Sequence, residues 1–184
     1  MILLIDNNDS FTYNITETLR SITSQKVEVV RHDRVNMQQV AGYDKIIFSP
    51  GPSVPQEYPV MEEILRLYGD TVPILGICLG FQAICLHYGG SLVNMEKVMH
   101  GVPSLIRCAE NSVLFKGIEQ TTVGRYHSWI VGDLPDELKI TAATTDGIIM
   151  AVEHRSKPVY GVQFHPESYI STDGRKILKN FTGL

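Results

Sequence analysis

Apolar positions along the chain fall into short runs with abrupt ends. Met1 to Ile5 is continuously apolar and stops at Asp6, which predicts a buried first strand. Asp9 and Ser10 are helix N-cap types, and Phe11 to Ile22 carries a helical pattern. Lys26 to Arg31 alternates around Val27 and Val29, as a second strand does. Lys45 to Phe48 predicts a third strand, stopped by Ser49-Pro50-Gly51-Pro52. Val60 to Tyr68 is helical, with Ile64, Leu65 and Tyr68 on one side. Pro73 to Ile77 reads as a fourth buried strand, and Gly80 to Tyr88 as a helix ended by Gly89-Gly90.

Strands and helices thus alternate through the first half, which favours a parallel sheet covered on both faces. The second half differs. Ser91 to Val93, Val102 to Cys108, Ile140 to Thr144 and Ile148 to His154 read as strands, with Thr145-Asp146-Gly147 a hairpin turn between two of them. Val159 to Phe164 adds another strand, and Arg175 to Phe181 a closing helix. The expected fold is α/β: an open, mostly parallel central sheet with helices on both faces, plus antiparallel strands in the C-terminal half. Residues 1–184 read as one domain without repeat or flexible linker.

Charge and cysteines narrow the setting. A net charge of -4 gives no electrostatic reason to expect nucleic acid or a membrane surface as partner. No apolar run approaches the roughly 20 residues that span a bilayer. The N-terminal run lacks a basic start, so it reads as a strand rather than a secretory signal. Cys78, Cys85 and Cys108 are odd in number and irregularly spaced, which argues against a disulfide framework and for the cytoplasm. No spacing suggests a metal site.

Ligands of open α/β sheets bind beyond the carboxyl ends of the strands. Three such ends carry chemistry. Gly76-Ile77-Cys78-Leu79-Gly80 runs from strand to helix with glycines two before and two after a cysteine. Small flanking residues permit a tight turn that aims the sulfur at a ligand, with the helix N-terminus behind it and the Leu79 N–H free to meet an oxyanion. Alone, the segment reads equally well as a buried, inert thiol. In His165-Pro166-Glu167 the imidazole and carboxylate face one way, and the carboxylate can orient the ring. A lone pair of this kind is more simply a surface His and Glu. Ser49 to Ser53 is a rigid loop at a strand end, in which Gly51 allows close approach to a substrate, although alone it reads more simply as a plain Pro/Gly turn. Gln82 lies one turn after Cys78, where it would either meet a bound amino acid or face solvent. Tyr126-His127-Ser128-Trp129 would either line a pocket or serve core and interface.

In order along one chain these segments resemble the class I, triad-type glutamine amidotransferases. They are most similar to the small glutaminase subunits that serve chorismate-using synthases. The resemblance runs from Ile5-Asp6-Asn7-Asn8-Asp9-Ser10-Phe11-Thr12 to Gly161-Val162-Gln163-Phe164-His165-Pro166-Glu167-Ser168, through Val98-Met99-His100-Gly101 and Arg125-Tyr126-His127-Ser128. It implies a flavodoxin-like sheet, Cys78 as nucleophile, His165 as base and Glu167 as orienting group. It implies that Gly51, Pro52, Ser53, Leu79, Gln82, Ser128 and Trp129 contact L-glutamine, several through backbone atoms. It implies ammonia delivery to a larger chorismate-binding subunit, with His100, Gly101 and Arg125 to Ser128 as interface candidates, and no metal or organic cofactor. The product would be anthranilate, aminodeoxychorismate or both. Ser53 stands where a second loop glycine is usual, Phe81 where a histidine is common, and Asn8 where a tyrosine is common. Ser53 alone motivates a competing reading, a non-catalytic regulatory subunit of the same complex. A peptidase-like Cys-His-Glu hydrolase fits the elbow only.

Overall fold

The computed structural model describes residues 1–184. Strands β1 (Ile2–Asp6), β2 (Val27–Arg31), β3 (Lys45–Phe48) and β4 (Ile74–Ile77) are connected by α1 (Thr12–Ile22), a four-residue α2 (Met37–Val40) and α3 (Pro59–Tyr68), and α4 (Leu79–His87) follows β4. The second half contributes β5 (Leu92–Asn94), β6 (Val102–Cys108), β7 (Gln120–Arg125), β8 (Trp129–Val131), β9 (Leu138–Thr144), β10 (Ile149–His154), β11 (Val159–Val162) and α5 (Gly174–Thr182). Nine strands form one sheet in the order β2-β1-β3-β4-β11-β10-β9-β6-β7. The first five are mutually parallel and the rest antiparallel.

Alternation along β1 explains why both faces are covered. Ile2 and Leu4 pack toward Ile15 and Leu19 of α1 and Ile177, Leu178 and Phe181 of α5. Leu3 and Ile5 pack toward Met61, Ile64 and Leu65 of α3 and Ile84 of α4. A strand sandwiched this way must be apolar at successive positions. The expected α/β architecture with its antiparallel second half is the one observed.

Three local readings change. Asp9 does not cap α1 directly: its carboxylate accepts from Phe11 N at 2.7 Å, and α1 starts at Thr12 with Phe11 as N-cap. The strand expected at Ser91 to Val93 lies at Leu92–Asn94 and leaves the main sheet to form a separate ribbon with β8. Gln120–Arg125, to which the sequence pattern assigns no element, is β7, the far edge of the sheet, where polar residues are tolerated because one side faces solvent. No helix is long and apolar enough to cross a membrane.

Because β1, β3, β4 and β11 are parallel neighbours, their carboxyl ends meet at one rim. Asn7, Ser49, Cys78 and Gln163 are the residues immediately beyond those ends.

Candidate active site

Cys78 is the hinge between β4 and α4, at φ 52° and ψ -99°. A non-glycine residue there carries strain of order 1–3 kcal/mol. The flanking glycines permit it: a Cβ on Gly76 would lie 2.4 Å from the Gly80 backbone, and one on Gly80 would lie 2.5 Å from Phe48 Cβ. Two backbone bonds hold the turn, Cys78 N to Val162 O at 2.8 Å and Gln82 N to Cys78 O at 3.0 Å. The sulfur therefore sits at the start of α4, and Cys78 is only 6% exposed, open to a cavity rather than to bulk solvent.

His165 follows β11 and is tied to β7, donating its N–H to Gly124 O at 3.1 Å. Its Nδ1 lies 2.7 Å from Glu167 Oε1, and both side chains are buried. A carboxylate only accepts, so Nδ1 carries the proton and Nε2 is left for the sulfur. Burial by itself lowers the imidazole pKa. The Cys78 sulfur and the Glu167 carboxylate outweigh it and push the ring up to about 10. Nε2 makes no aligned hydrogen bond in this resting geometry, as is common before a substrate tightens a site. The start of α5 buttresses the segment: a Cβ on Gly174 would fall 1.8 Å from Pro166 O.

Two aromatic rings cover the imidazole. Phe11 and Tyr126 each stand 4.9 Å from the His165 ring and 5.1 Å from one another. The acidic N-terminal motif sets Phe11: Asp9 holds its N–H, and Asp6 accepts from Thr12 Oγ1 at 2.9 Å. Sequence reasoning did not assign this role to Phe11. An aspartate two residues before an aromatic, a signature of an Asx turn, was the available signal.

The Ser49 to Ser53 loop is clamped to the elbow. A Cβ on Gly51 would meet Leu79 Cδ2 at 2.6 Å and Asn7 Cβ at 2.8 Å, so only glycine lets the loop lie against Leu79. Asn7 donates to Ser49 Oγ and to Ser49 O, each at 2.9 Å. Ser53 does occupy the left-handed region, at φ 68°, where the sequence departs from glycine. Its hydroxyl donates to Glu57, a compensation glycine lacks. Ser53→Ala keeps the strain and loses this bond, whereas Ser53→Gly relieves the strain. Stability by urea unfolding should rank glycine at or above serine and alanine lowest, within a span of about 1–2 kcal/mol. Alanine equal to wild type would show that the Glu57 bond contributes nothing.

The opposite wall is built on His127, Ser128 and Trp129. His127 accepts from Arg125 Nε at 3.1 Å and donates from Nδ1 to Trp129 O at 2.9 Å. Burial, then the Arg125 charge, lowers the His127 pKa to about 4. A neutral buried histidine binds fewer protons than the unfolded chain between pH 6.5 and 4. Its stabilising contribution is therefore complete above pH 6.5 and is lost as pH falls toward 4. Between pH 7 and 5 this amounts to about 2 kcal/mol. Urea midpoints should drop less over that interval in His127→Gln than in wild type. Equal drops would remove His127 as the source.

Of the ten residues expected to act in catalysis or contact glutamine, seven, Gly51, Pro52, Ser53, Cys78, Gln82, Ser128 and Trp129, line one cavity of about 200 Å³ together with Val98, Met99, His100, Tyr126 and His127, while Leu79, His165 and Glu167 stand behind its wall. That is below the ~300–1,000 Å³ of pockets for drug-sized ligands and suits a single amino acid. Gln82 is buried and faces the cavity, not solvent. Arg125 and His127 are buried as well, and His127, Tyr126, Ser128 and Trp129 of this segment line the cavity. The remaining histidines lie elsewhere: His32 bonds Asn8, His87 pairs with Glu62, and His154 caps the turn at Ser156. Phe81 is fully buried against Gly161. No group of three His, Cys, Asp or Glu residues is placed to hold a metal ion.

Comparison with known proteins gives this arrangement a family. The model of the class-I glutamine amidotransferases matches residues 3–183. A Bacillus subtilis protein named aminodeoxychorismate/anthranilate synthase component 2 is 40% identical, over 98% of this chain and 95% of its own length. Anthranilate synthase component 2 of Lactococcus lactis is 42% identical, over 98% and 93% respectively. A solved structure from Thermoplasma acidophilum, named for a GMP synthase subunit, superposes with a TM-score of 0.89 at 27% identity, over 99% of this chain and 92% of that one. A match that spans the sheet from β1 to α5 and takes in every rim loop makes this chain a member of the class-I glutamine amidotransferase family.

Proposed function

We propose that residues 1–184 form one glutaminase unit that hydrolyses L-glutamine and supplies ammonia to a chorismate-aminating large subunit. The observation that carries the reading is Cys78 at a strained elbow beside a buried His165–Glu167 pair, opening on a cavity of amino-acid size. Cys78 Sγ attacks the side-chain amide carbon of glutamine. His165 takes the thiol proton and returns it to the departing nitrogen, which leaves as ammonia. Glu167 holds Nδ1–H and offsets the charge that develops on the ring. The backbone N–H groups of Leu79 and of the Gly51 loop meet the oxyanion. Water, deprotonated by His165, then cleaves the glutamyl thioester to glutamate and regenerates the thiol. The Phe11 and Tyr126 rings keep bulk water from the imidazole. Gly51, Pro52, Ser53, Gln82, Ser128 and Trp129 hold the amino-acid end and the amide in register.

The names of the relatives support a chorismate-binding component I as partner, and the Bacillus protein carries both products in its name. The test is product formation from chorismate and magnesium with each large subunit of the source organism, comparing glutamine with ammonium as nitrogen donor. Glutamine should support product only when this chain is present. Ammonium-only activity with both large subunits would overturn the proposal.

A further inference from the structure

Gln163 is fully buried, immediately beyond β11, and carries no role in the reaction described above. Its Nε2 lies 3.7 Å from Cys78 Sγ, and its Oε1 accepts from Gln82 Nε2 at 3.2 Å. Gln82 Nε2 also donates to Trp129 O at 3.2 Å. The direction of these bonds is forced. A backbone carbonyl only accepts, so Trp129 O fixes the amino end of Gln82 toward itself and toward Gln163. Gln163 must then present its carbonyl to Gln82 and its amino group to the sulfur. At the far end Arg125 only donates, so His127 accepts at Nε2 and donates from Nδ1 to the same Trp129 carbonyl. A continuous polar chain therefore runs from Arg125 through His127, the Trp129 carbonyl and Gln82 to Gln163, and ends on Cys78.

We propose that Gln163 is a positioning residue that holds the Cys78 sulfur in its charged form and locks the Gln82 amide, coupling nucleophile to cavity wall. The inference rests on the reading of Cys78 as nucleophile. An amide donor suits the task because it stabilises negative sulfur yet cannot take up a proton, so it does not compete with His165. Gln163 precedes His165 by two residues, just beyond β11, so one short segment carries both a neutral donor and a base. With both its hydrogens committed, Gln82 keeps only its Oε1 acceptor uncommitted beside the cavity.

The test is the pH dependence of Cys78 alkylation by iodoacetamide, followed by peptide mass spectrometry, in wild type and Gln163→Met. Burial pushes the Cys108 thiol up to about 11 and raises Cys85 further, so both react poorly at neutral pH. On the acid side of the labelling profile the variant should label about tenfold more slowly, and the two rates should converge at high pH, as loss of one hydrogen bond to a charged group predicts. Superimposed profiles would overturn the proposal. Should Gln163→Met fail to fold, Gln163→Asn, too short to reach both partners, gives the same reading. With glutamine and the large subunit, kcat should fall about 10–100-fold and KM should rise several-fold, since Gln82 is released together with the sulfur. The alkylation does not depend on glutamine turnover. A wild-type chain that labels at Cys78 but never hydrolyses glutamine would therefore refute the functional reading and leave the role of Gln163 intact.

Discussion

Cys78→Ala is expected to abolish glutamine hydrolysis, by about 10⁴-fold or more, while ammonium still supports product formation by the complex. Removing a covalent nucleophile eliminates the thioester route, and the remaining groups provide only the residual acceleration of binding and oxyanion contacts. The structure adds a stability dimension. Alanine keeps the φ of 52° that makes the elbow strained, whereas glycine adopts such backbone freely. Cys78→Gly should therefore be equally inactive and more stable than Cys78→Ala, by about 1–3 kcal/mol. Glutamate release and urea unfolding read the two quantities separately. Glutamine turnover by the alanine variant would transfer the nucleophile to another residue. Equal stabilities would mean that the neighbouring backbone bonds, rather than the side chain, set the strain.

Glu167→Gln should lower kcat by about 10²–10⁴ and leave KM within a few-fold. The carboxylate is wholly buried, bonded through Oε1 to His165 Nδ1, and its Oε2 has no partner. An amide of the same shape either turns its NH₂ toward the ring, which puts the proton on Nε2 and removes the base, or leaves the imidazolium uncompensated. Both act on the transition state, since the carboxylate does not line the cavity wall. The pH profile should change as well. Glu167 is one of two groups that push His165 up to about 10, so the pKa of His165 should fall in the variant. A near-wild-type rate would remove Glu167 from the mechanism.

In the parallel half of the sheet β1, β3 and β4 were legible because each is a short apolar run cut off by Asp6, Ser49 or the Gly76 to Gly80 segment, and β2 through its alternation around Val27 and Val29. Ser49 and Cys78 at the rim were legible because motif and strand end coincide there. β7 was not, because Gln120, Thr121 and Thr122 are polar and an edge strand needs no apolar run. Gln82 was ambiguous because Leu79 to Cys85 is buried on every side, so helical spacing singles out no solvent face. Gln163 was passed over because a single glutamine in Val159 to Phe164 only interrupts a strand pattern. Its partners, Cys78 and Gln82, are more than 80 residues away in the chain. Phe11 was counted into a helix, although the turn preceding that helix fixes its ring.

One feature of the cavity wall makes the site optically addressable. Trp129 is the only tryptophan in the chain, and it lines the cavity with its carbonyl tied to His127 and Gln82. The intrinsic indole emission of the isolated protein therefore comes entirely from this wall. Ligand entry, or docking of a partner over the rim, can be followed in real time without a label.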